Sequence, residues 1–225
     1  MTNTPILETK DLCFAYESLI VLRHINITVF PGESLSITGP NGCGKTTLFR
    51  ILSGLDFPDK GTYYFHGNAI TKEWLSNPLH ERLLHQQIGY MFQDPDLQLF
   101  TGSVREEIAF GLYQMGYSSD KVMQRTEELL QLFSINDLAD RAPYHLSGGE
   151  KRKVALACVL SLNPDILLLD EPMAGLDDST QQLFFQIFKT LHQAGKTLLF
   201  ATHDSSLIKD LSNRVIEITE KHNIL

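Results

Sequence analysis

A glycine-rich segment between an apolar stretch and a helix is the feature that most constrains the fold of this chain. Gly39–Thr46 reads GPNGCGKT and fits the pattern G-x-x-x-x-G-K-[ST]. Glycines let the backbone wrap closely around phosphates and point its N–H groups at them. Ser34–Thr38 is predicted to be the strand before this loop, and a helix should start near Lys45 and add the positive end of its dipole. This context predicts a phosphate-binding loop rather than a chance glycine turn.

The residues of this loop have predicted tasks in binding a nucleoside triphosphate. Lys45 should reach the β- and γ-phosphates, and the hydroxyl of Thr46 should ligate Mg²⁺. Cys43 has two interpretations: a small neutral residue, which we favour, or a reactive thiol activated by the surrounding N–H groups. The predicted ATP contacts of the loop are Gly39, Pro40, Asn41, Gly42, Cys43, Gly44, Lys45, Thr46 and Thr47.

A second metal anchor is predicted at the end of another strand. Ile166–Leu169 is wholly apolar, as expected for a strand buried on both faces, and Asp170 follows it. The carboxyl ends of parallel strands line the ligand-binding edge of an open sheet, which places Asp170 there as a Mg²⁺ anchor. Glu171 comes next and is positioned to orient or deprotonate an attacking water. A solvated acidic pair is the alternative, and the phosphate loop argues against it.

Short apolar runs that alternate with helical stretches predict an α/β fold with a largely parallel central sheet. Thr197–Ala201 and Val215–Ile218 are further predicted strands of that sheet. Arg23–Val29 and Thr62–Phe65 also have strand composition and indicate an N-terminal antiparallel element beside the nucleotide. The fold class expected is therefore a phosphate-loop NTPase with a parallel-sheet core and an antiparallel β element.

Apolar stripes predict helices over Asp120–Ile135 and Ser179–Ala194, and Gly195 is well placed to end the second one. The stretch from about residue 94 to 163 is mostly helical and lies between sheet-forming regions. We expect one domain, with residues 1–93 and 164–225 as its α/β core and residues 94–163 as an inserted helical lobe.

Composition excludes several classes of protein. The 225 residues carry a formal net charge of −8, so the broad basic field of a nucleic-acid-binding protein is missing. The longest apolar runs are too short to span a membrane, and the N-terminus lacks the pattern of a secretory signal. Cys13, Cys43 and Cys158 are widely separated, which predicts neither disulfides nor a zinc site. We expect a reducing, cytoplasmic setting.

The segment Leu146–Glu150 reads LSGGE and precedes a helix, so it forms a second anion-binding helix start. With it, the chain resembles the nucleotide-binding subunits of ABC transporters along almost its whole length. The motifs that carry the resemblance occur in order: the phosphate loop, Gln93 after Tyr90-Met91-Phe92, the LSGGE segment, Asp170-Glu171-Pro172, Ala174-Gly175-Leu176-Asp177 and Thr202-His203-Asp204.

This resemblance implies roles for four further residues. Tyr16 is the expected aromatic that stacks on adenine, with a packed core residue as the alternative. Gln93 is expected to sense Mg²⁺ and the attacking water, and its alternative is a polar surface residue. His203 is expected to contact the γ-phosphate; a neutral core histidine is the alternative. Asp177 is expected to form an inter-subunit contact, and it can also cap the helix that begins near Ser179.

The resemblance also implies a head-to-tail dimer, formed with a second ATPase subunit that we expect to be a copy of this chain. Ser147, Gly148 and Gly149 of one chain would close over ATP held by Lys45 of the other. ATP then joins the two chains and hydrolysis loosens them. We therefore expect an isolated monomer to hydrolyse ATP poorly and to self-associate weakly without nucleotide.

The segment Gln93–Phe100, followed by Ser103–Gly111, is similar to the ATPases of energy-coupling-factor importers, and Gly148–Ala157 favours their cobalt and nickel branch. Leu97, Leu99 and Phe100 would offer an apolar groove to a transmembrane partner, or they pack the helical lobe. The resemblance implies a peripheral subunit at the cytoplasmic face of the cell membrane. Its implied cofactors are ATP and Mg²⁺, and no nucleic acid is expected as a partner.

Three alternatives follow from the same motifs. One is an ATPase that serves a vitamin importer, such as one for biotin; the short stretch after His203 favours a dedicated importer instead. A soluble ABC ATPase acting on DNA or ribosomes is disfavoured by the single cassette and the acidic charge. A non-hydrolytic regulator is disfavoured by Glu171 and His203. Met173 and Asp178 depart from the usual residues of the family and lie where coupling between subunits is tuned.

Overall fold

The computed structural model describes residues 4–224, which form an alternation of strands and helices. The elements in chain order are β1 (Leu7–Tyr16), β2 (Leu19–Val29), β3 (Ser34–Thr38), α1 (Lys45–Leu52), β4 (Lys60–Phe65), β5 (Asn68–Ala69), α2 (Lys72–Leu75), α3 (Pro78–Gln87), β6 (Ile88–Met91), α4 (Val104–Gln114), α5 (Ser119–Leu132), α6 (Gly148–Ser161), β7 (Ile166–Asp170), α7 (Asp178–Gln193), β8 (Thr197–Ala201), α8 (Ser205–Leu211) and β9 (Arg214–Glu217). Single 3-10 turns occupy Pro95–Leu97, Asn136–Leu138 and Pro143–His145.

A parallel sheet forms the centre of the molecule. Within residues 4–224 its five strands run in the order β6-β7-β8-β3-β9, and all neighbouring pairs are parallel. Their carboxyl ends therefore meet at one edge, where ligands of open α/β sheets bind. The phosphate loop follows β3, Asp170 ends β7 and Thr202 follows β8, so the predicted site residues reach the same edge. The predicted α/β fold class is confirmed.

A second, antiparallel sheet flanks the first one. Among the described residues it contains four strands in the order β2-β1-β4-β5. The antiparallel N-terminal element predicted from the sequence is therefore present. The predicted stretches Arg23–Val29 and Thr62–Phe65 are parts of the longer β2 and β4. Strand β1 was not predicted from the sequence; its exposed Lys10 and Asp11 interrupt the alternation of buried side chains.

Strand β7 lies inside the parallel sheet, between β6 and β8, and its residues before Asp170 are all apolar. Leu167 and Leu169 pack into the core shared with α6, α7 and the helical region. Ile166 and Leu168 point to the other side, into the core shared with α1 and the antiparallel sheet. Because both faces of β7 are covered, each of its side chains is buried. This packing holds Asp170, the last residue of β7, at the carboxyl-terminal edge of the sheet.

The chain between β6 and β7 contains helices and turns but no strand within its described residues. The helix predicted over Asp120–Ile135 is α5, and the prediction was wrong at its end. Ser134 has a φ of 53°, which is the left-handed region and stops the helix before Ile135. No helix among residues 4–224 combines the length and the apolar character that a membrane crossing requires.

Two other predicted elements are each shifted by one residue at both ends. The helix predicted over Ser179–Ala194 is α7, and Gly195 with a φ of 84° follows it as predicted. The strand predicted over Val215–Ile218 is β9, which ends before Ile218. Ile218 forms an isolated antiparallel bridge with Ile224 instead.

Candidate nucleotide-binding site

Two glycines of the phosphate loop are required by close backbone contacts. Gly39 has a φ of 136°, and a Cβ atom there would lie 2.2 Å from the carbonyl oxygen of Ile218. Gly44 has a φ of 111°, and a Cβ atom there would lie 2.5 Å from the carbonyl oxygen of Val21. Any side chain at either position would collide with neighbouring backbone, so the loop is held tightly against β2 and the segment after β9.

Lys45 begins α1 and turns its ammonium group into the mouth of the loop. Its Nζ donates to the carbonyl oxygens of Gly39 at 2.7 Å and Pro40 at 3.2 Å. The same atom lies 3.3 Å from Nε2 of His203, which follows β8. Lys45 is buried, and its ammonium group lies among the carbonyl oxygens of the loop. The arrangement concentrates positive charge where the phosphates of a nucleotide would lie.

Thr46 and Asp170 join the loop to the end of β7. The hydroxyl of Thr46 donates to Oδ2 of Asp170 at 2.6 Å, and the hydroxyl of Tyr90 lies 3.4 Å from the same oxygen. Burial raises the pKa of Asp170, and the Thr46 hydrogen bond opposes that shift. Two adjacent oxygen ligands, one of them a buried carboxylate, fit a hard divalent cation such as Mg²⁺. The residues present therefore suit the predicted metal.

Glu171 and His203 face each other across the end of the sheet. Glu171 has a φ of 44°, a strained conformation for a residue with a side chain, and its N–H donates to the carbonyl of Ala201 at 2.8 Å. Oε1 of Glu171 lies 3.7 Å from Nε2 of His203. The imidazole is half exposed, so the alternative of a core histidine was wrong.

Lys45, Thr46, Asp170 and Glu171 line an open cleft of about 390 Å³, and His203 lies outside that lining. Tyr16 at the end of β1 forms one side of the cleft and Gln93 after β6 another. Tyr16 is 46% exposed and meets Phe14 edge-on, with ring centroids 4.9 Å apart, so the alternative of a packed core residue was wrong. The complete lining is Tyr16, Val21, Asn41, Gly42, Gly44, Lys45, Thr46, Thr47, Gln93, Asp170 and Glu171.

Cys43 turns away from this cleft. Its side chain is buried in the core beneath the loop, and its Sγ lies 3.9 Å from Nζ of Lys45. The imidazole of His222 contacts the carbonyl oxygen of Cys43 at 3.3 Å. Cys43 therefore acts as a small core residue, and modification of its thiol requires the loop to open.

Ser147 caps α6 outside the cleft. Its hydroxyl accepts from the N–H of Glu150, and the Glu150 carboxylate accepts from the Ser147 N–H at 2.7 Å, which completes a capping box. Ser147 and Gly148 are exposed, and neither lines the cleft within the described chain. A Cβ atom on Gly149 would lie 3.9 Å from Oδ2 of Asp177, so the LSGGE segment and Asp177 share one surface.

Asp177 caps α7, as the alternative interpretation of this residue predicted. Its carboxylate accepts from the hydroxyl of Ser179 at 2.6 Å and from the N–H of Thr180 at 2.9 Å. The Ser179 bond first, and then the Thr180 bonds, hold the pKa of Asp177 below its usual range. The side chain remains exposed, so the cap leaves Asp177 accessible to a second chain.

The two departures from the usual family residues lie in different environments. Met173 is buried and packs in the core together with Leu176. Asp178 is exposed in the first turn of α7, where a carboxylate is favourable for the helix dipole. Met173 therefore affects packing beneath Ala174–Asp177, whereas Asp178 adds negative charge beside Asp177.

Two residues that complete the site were not predicted from the sequence. Tyr90 lies beside Asp170, and burial first, followed by the charge of Asp170, raises the pKa of its phenol. Arg152 on α6 donates to the carbonyl oxygen of Glu171 at 3.2 Å. Burial lowers the pKa of Arg152, and the charges of Asp94 and Glu171 oppose this shift. A basic residue after LSGGE is ordinary for a helix surface, so only the packing shows this contact.

The fold and the cleft define a phosphate-loop nucleoside triphosphatase. Comparison with known proteins gives the family: residues 22–174 match the model of the ABC transporter family. The chain belongs to that family and is an ATP-hydrolysing, ATP-binding subunit.

Among its relatives is the nickel import ATP-binding protein LarO of Lactiplantibacillus plantarum. The two are 44% identical over 219 residues, which cover 97% of this chain and 91% of the relative. The solved structure of CbiO1 from Clostridium perfringens, part of the CbiONQ ABC transporter complex, is 32% identical with a TM-score of 0.81, and the match covers 99% of this chain and 87% of CbiO1. A dimeric post-hydrolysis state of the cassette MJ0796, bound to ADP and Pi, is 27% identical with a TM-score of 0.85 and coverage of 97% and 96%.

Proposed function

We propose that this chain energises a membrane importer of the energy-coupling-factor type that carries nickel or cobalt ions. The family match and the site support the ATPase chemistry. The cargo class is supported by similarity to a nickel import protein and to a component of the CbiONQ complex. The chain would work as a peripheral subunit at the cytoplasmic face of the membrane. Residues 1–93 and 164–225 would form its α/β core, and residues 94–163 its helical lobe.

The observation that carries the proposal is an apolar surface beside the catalytic cleft. We name Gln93–Phe100 the docking segment. Its Leu97 and Phe100 are 74% and 68% exposed, and Phe100 meets Phe110 of α4 edge-on at 5.0 Å. A groove of about 210 Å³ opens beside Phe100 and Phe110. Exposed aromatic and aliphatic side chains next to a groove suit an amphipathic helix of a membrane subunit.

A head-to-tail dimer supplies the rest of the ATP site. Lys45 of one chain would hold the phosphates, and Ser147, Gly148 and Gly149 of the second chain would cover them. The exposure of Ser147 and Gly148, and the neighbouring position of Gly149 and Asp177, support this arrangement because all four would face the second chain. Asp177 would form the contact between the two sites. The dimeric cassettes of similar fold are consistent with this geometry.

The residues of the cleft divide the chemistry among them. Glu171 would orient and deprotonate the attacking water, and His203 would donate to the γ-phosphate while Lys45 balances the charge that develops there. Gln93, the first residue of the docking segment, would contact the metal and the attacking water and link them to the membrane partner. Thr46 and Asp170, with Gln93, would hold Mg²⁺, which neutralises phosphate charge when bound. Tyr16 would stack on the adenine.

Purification from membranes tests this proposal. The chain carrying an affinity tag should bring down transmembrane subunits, and alanine at both Leu97 and Phe100 should abolish that capture. Alanine at Leu79 and Leu132, which are also exposed, is the matched control and should leave capture intact.

Vesicles containing the captured complex should then take up labelled nickel or cobalt when ATP is inside with the ATPase. Uptake of biotin instead would move the chain to a vitamin importer. Failure to capture any membrane protein, with ATPase activity intact, would favour a soluble ABC ATPase.

A further inference from the structure

We propose that Gln98 is a positioning residue that sets the direction of α6, and with it Ser147–Gly149, relative to the strand end that carries Gln93. The inference rests on the head-to-tail site proposed above, because the direction of α6 matters to ATP only if its N-terminus completes a site in a second chain. Gln98 is the contact that links the docking segment to that site.

The side-chain amide of Gln98 joins two parts of the molecule. Its Oε1 accepts from the N–H of Phe92 at 3.2 Å, directly beside Gln93 at the end of β6. Its Nε2 donates to the carbonyl oxygen of Ala155 in α6 at 2.9 Å. An amide can accept at one atom and donate at the other, which a carboxylate or an ammonium cannot do. One side chain therefore connects the parallel sheet to the helix that follows the LSGGE segment.

The same face of α6 carries two more contacts. Nζ of Lys151 lies 2.6 Å from Oδ1 of Asp96, and the Lys151 side chain is only 16% exposed. Arg152 donates to the carbonyl oxygen of Glu171. Residues 151, 152 and 155 lie on adjoining positions of one helix surface. Contacts with the docking segment and with the backbone of Glu171 thus hold the first turns of α6 in place.

The far end of the docking segment is also held. Oε2 of the buried Glu107 accepts from the N–H groups of Phe100 at 2.9 Å and Thr101 at 2.7 Å, and from the hydroxyl of Thr101 at 2.7 Å. Charge-assisted hydrogen bonds to a buried carboxylate are stronger than neutral ones. The segment is therefore fixed at both ends while Leu97 and Phe100 stay exposed. A partner that displaces Leu97 and Phe100 on binding also displaces α6, because Gln98 is hydrogen-bonded to that helix.

The test uses ATP-driven dimerisation of the full chain in a Glu171→Gln background. Gln98→Met keeps the side-chain length and removes both hydrogen bonds. Gln98→Glu keeps an acceptor for Phe92 but places a carboxylate against the carbonyl of Ala155. Both variants should weaken the dimer about tenfold, the size expected for losing hydrogen bonds of this kind. Binding of a fluorescent ATP analogue to the single chain should not change.

The control is Gln131→Met on the exposed surface of α5, which should leave the dimer constant unchanged. Dimer constants for the Gln98 variants equal to that of the Glu171→Gln parent would overturn the proposal. Equal losses in dimerisation and in single-chain ATP binding would also overturn it, because they would mean general damage to the fold.

A second readout separates this proposal from the proposed function. If the Glu171→Gln parent fails to dimerise, the head-to-tail site fails, and the position of α6 can still be measured. Spin labels at the exposed Lys60 and Tyr144, in a cysteine-free background, report the distance between the β-rich core and the approach to α6. Gln98→Met should broaden that distance distribution, and an unchanged distribution would contradict the role of Gln98.

Discussion

The hydroxyl of Thr46 donates a hydrogen bond to Oδ2 of Asp170 at 2.6 Å, which ties the phosphate loop to the end of strand β7. The two groups come from distant parts of the chain, and the parallel sheet brings them to one edge. Two oxygen atoms at this distance can both coordinate one cation.

Thr46→Ala should raise the Mg²⁺ concentration that gives half-maximal ATPase activity by about 10- to 100-fold, the range for losing a group that binds or orients a metal ligand. Thr46→Ser keeps the hydroxyl and should restore most of the activity. Titration of Mg²⁺ at saturating ATP measures both effects. Equal Mg²⁺ dependence in the alanine variant and the parent would remove Thr46 from the metal site.

Glu171→Gln should reduce turnover by about 10²- to 10⁴-fold, because the amide cannot take a proton from the attacking water. ATP binding should persist, so the chain should collect as an ATP-bound dimer on size exclusion. The exposed Glu220→Gln is the matched control and should leave turnover unchanged. Turnover near the parent rate in Glu171→Gln would assign the base to another residue.

Tyr16→Ala should weaken ATP binding by about three- to tenfold, the value of one aromatic stacking contact. Tyr16→Trp should retain binding because its ring also presents a face to adenine. Isothermal titration with ATP and with ribose triphosphate compares the two variants. The loss of affinity caused by Tyr16→Ala should be absent for ribose triphosphate, which has no base. An equal loss of affinity for both ligands would contradict stacking.

Gly39→Ala should lower the free energy of unfolding by about 3 kcal/mol or more, because it adds left-handed strain and a collision with the carbonyl of Ile218. Gly67→Ala is the matched control, since Gly67 also has a positive φ but open space around it. It should cost only about 1 kcal/mol. Chemical denaturation measures both changes, and similar losses would mean that the predicted collision relaxes.

Sequence patterns predicted the fold well wherever local and global preferences agree. Ser34–Thr38 and Thr197–Ala201 are strands with the predicted bounds. Leu198–Ala201 is a continuous apolar run, which suits a strand covered on both faces. The predicted end of α5 was wrong because Ser134 adopts a left-handed conformation that its residue type does not require. Strand β1 went unpredicted because register shifts interrupt its pairing with β2 and β4, so its buried positions do not follow the regular alternation of a strand.

The site shows the same division. The phosphate loop and Asp170 could be predicted because their chemistry needs particular residues in a particular order. Gln98 and Arg152 could not, because their partners are backbone carbonyls of Ala155 and Glu171, and any residue supplies a carbonyl. The capping box at Ser147 differs from these contacts, because Glu150 three residues later is its usual sequence pattern.

The most direct test of the central claim is complementation between two inactive variants. Lys45→Ala breaks the phosphate side of a site, and Gly148→Asp places a negative charge on the covering side, where a Cβ atom has open space. In a head-to-tail dimer, each mixed pair contains one intact site, made from Lys45 of one chain and the LSGGE segment of the other. Single-turnover ATP hydrolysis of the equimolar mixture should recover to about a quarter of the parent value, while each variant alone stays inactive. A mixture no more active than its separate components, with dimers formed, would contradict a site shared between two chains.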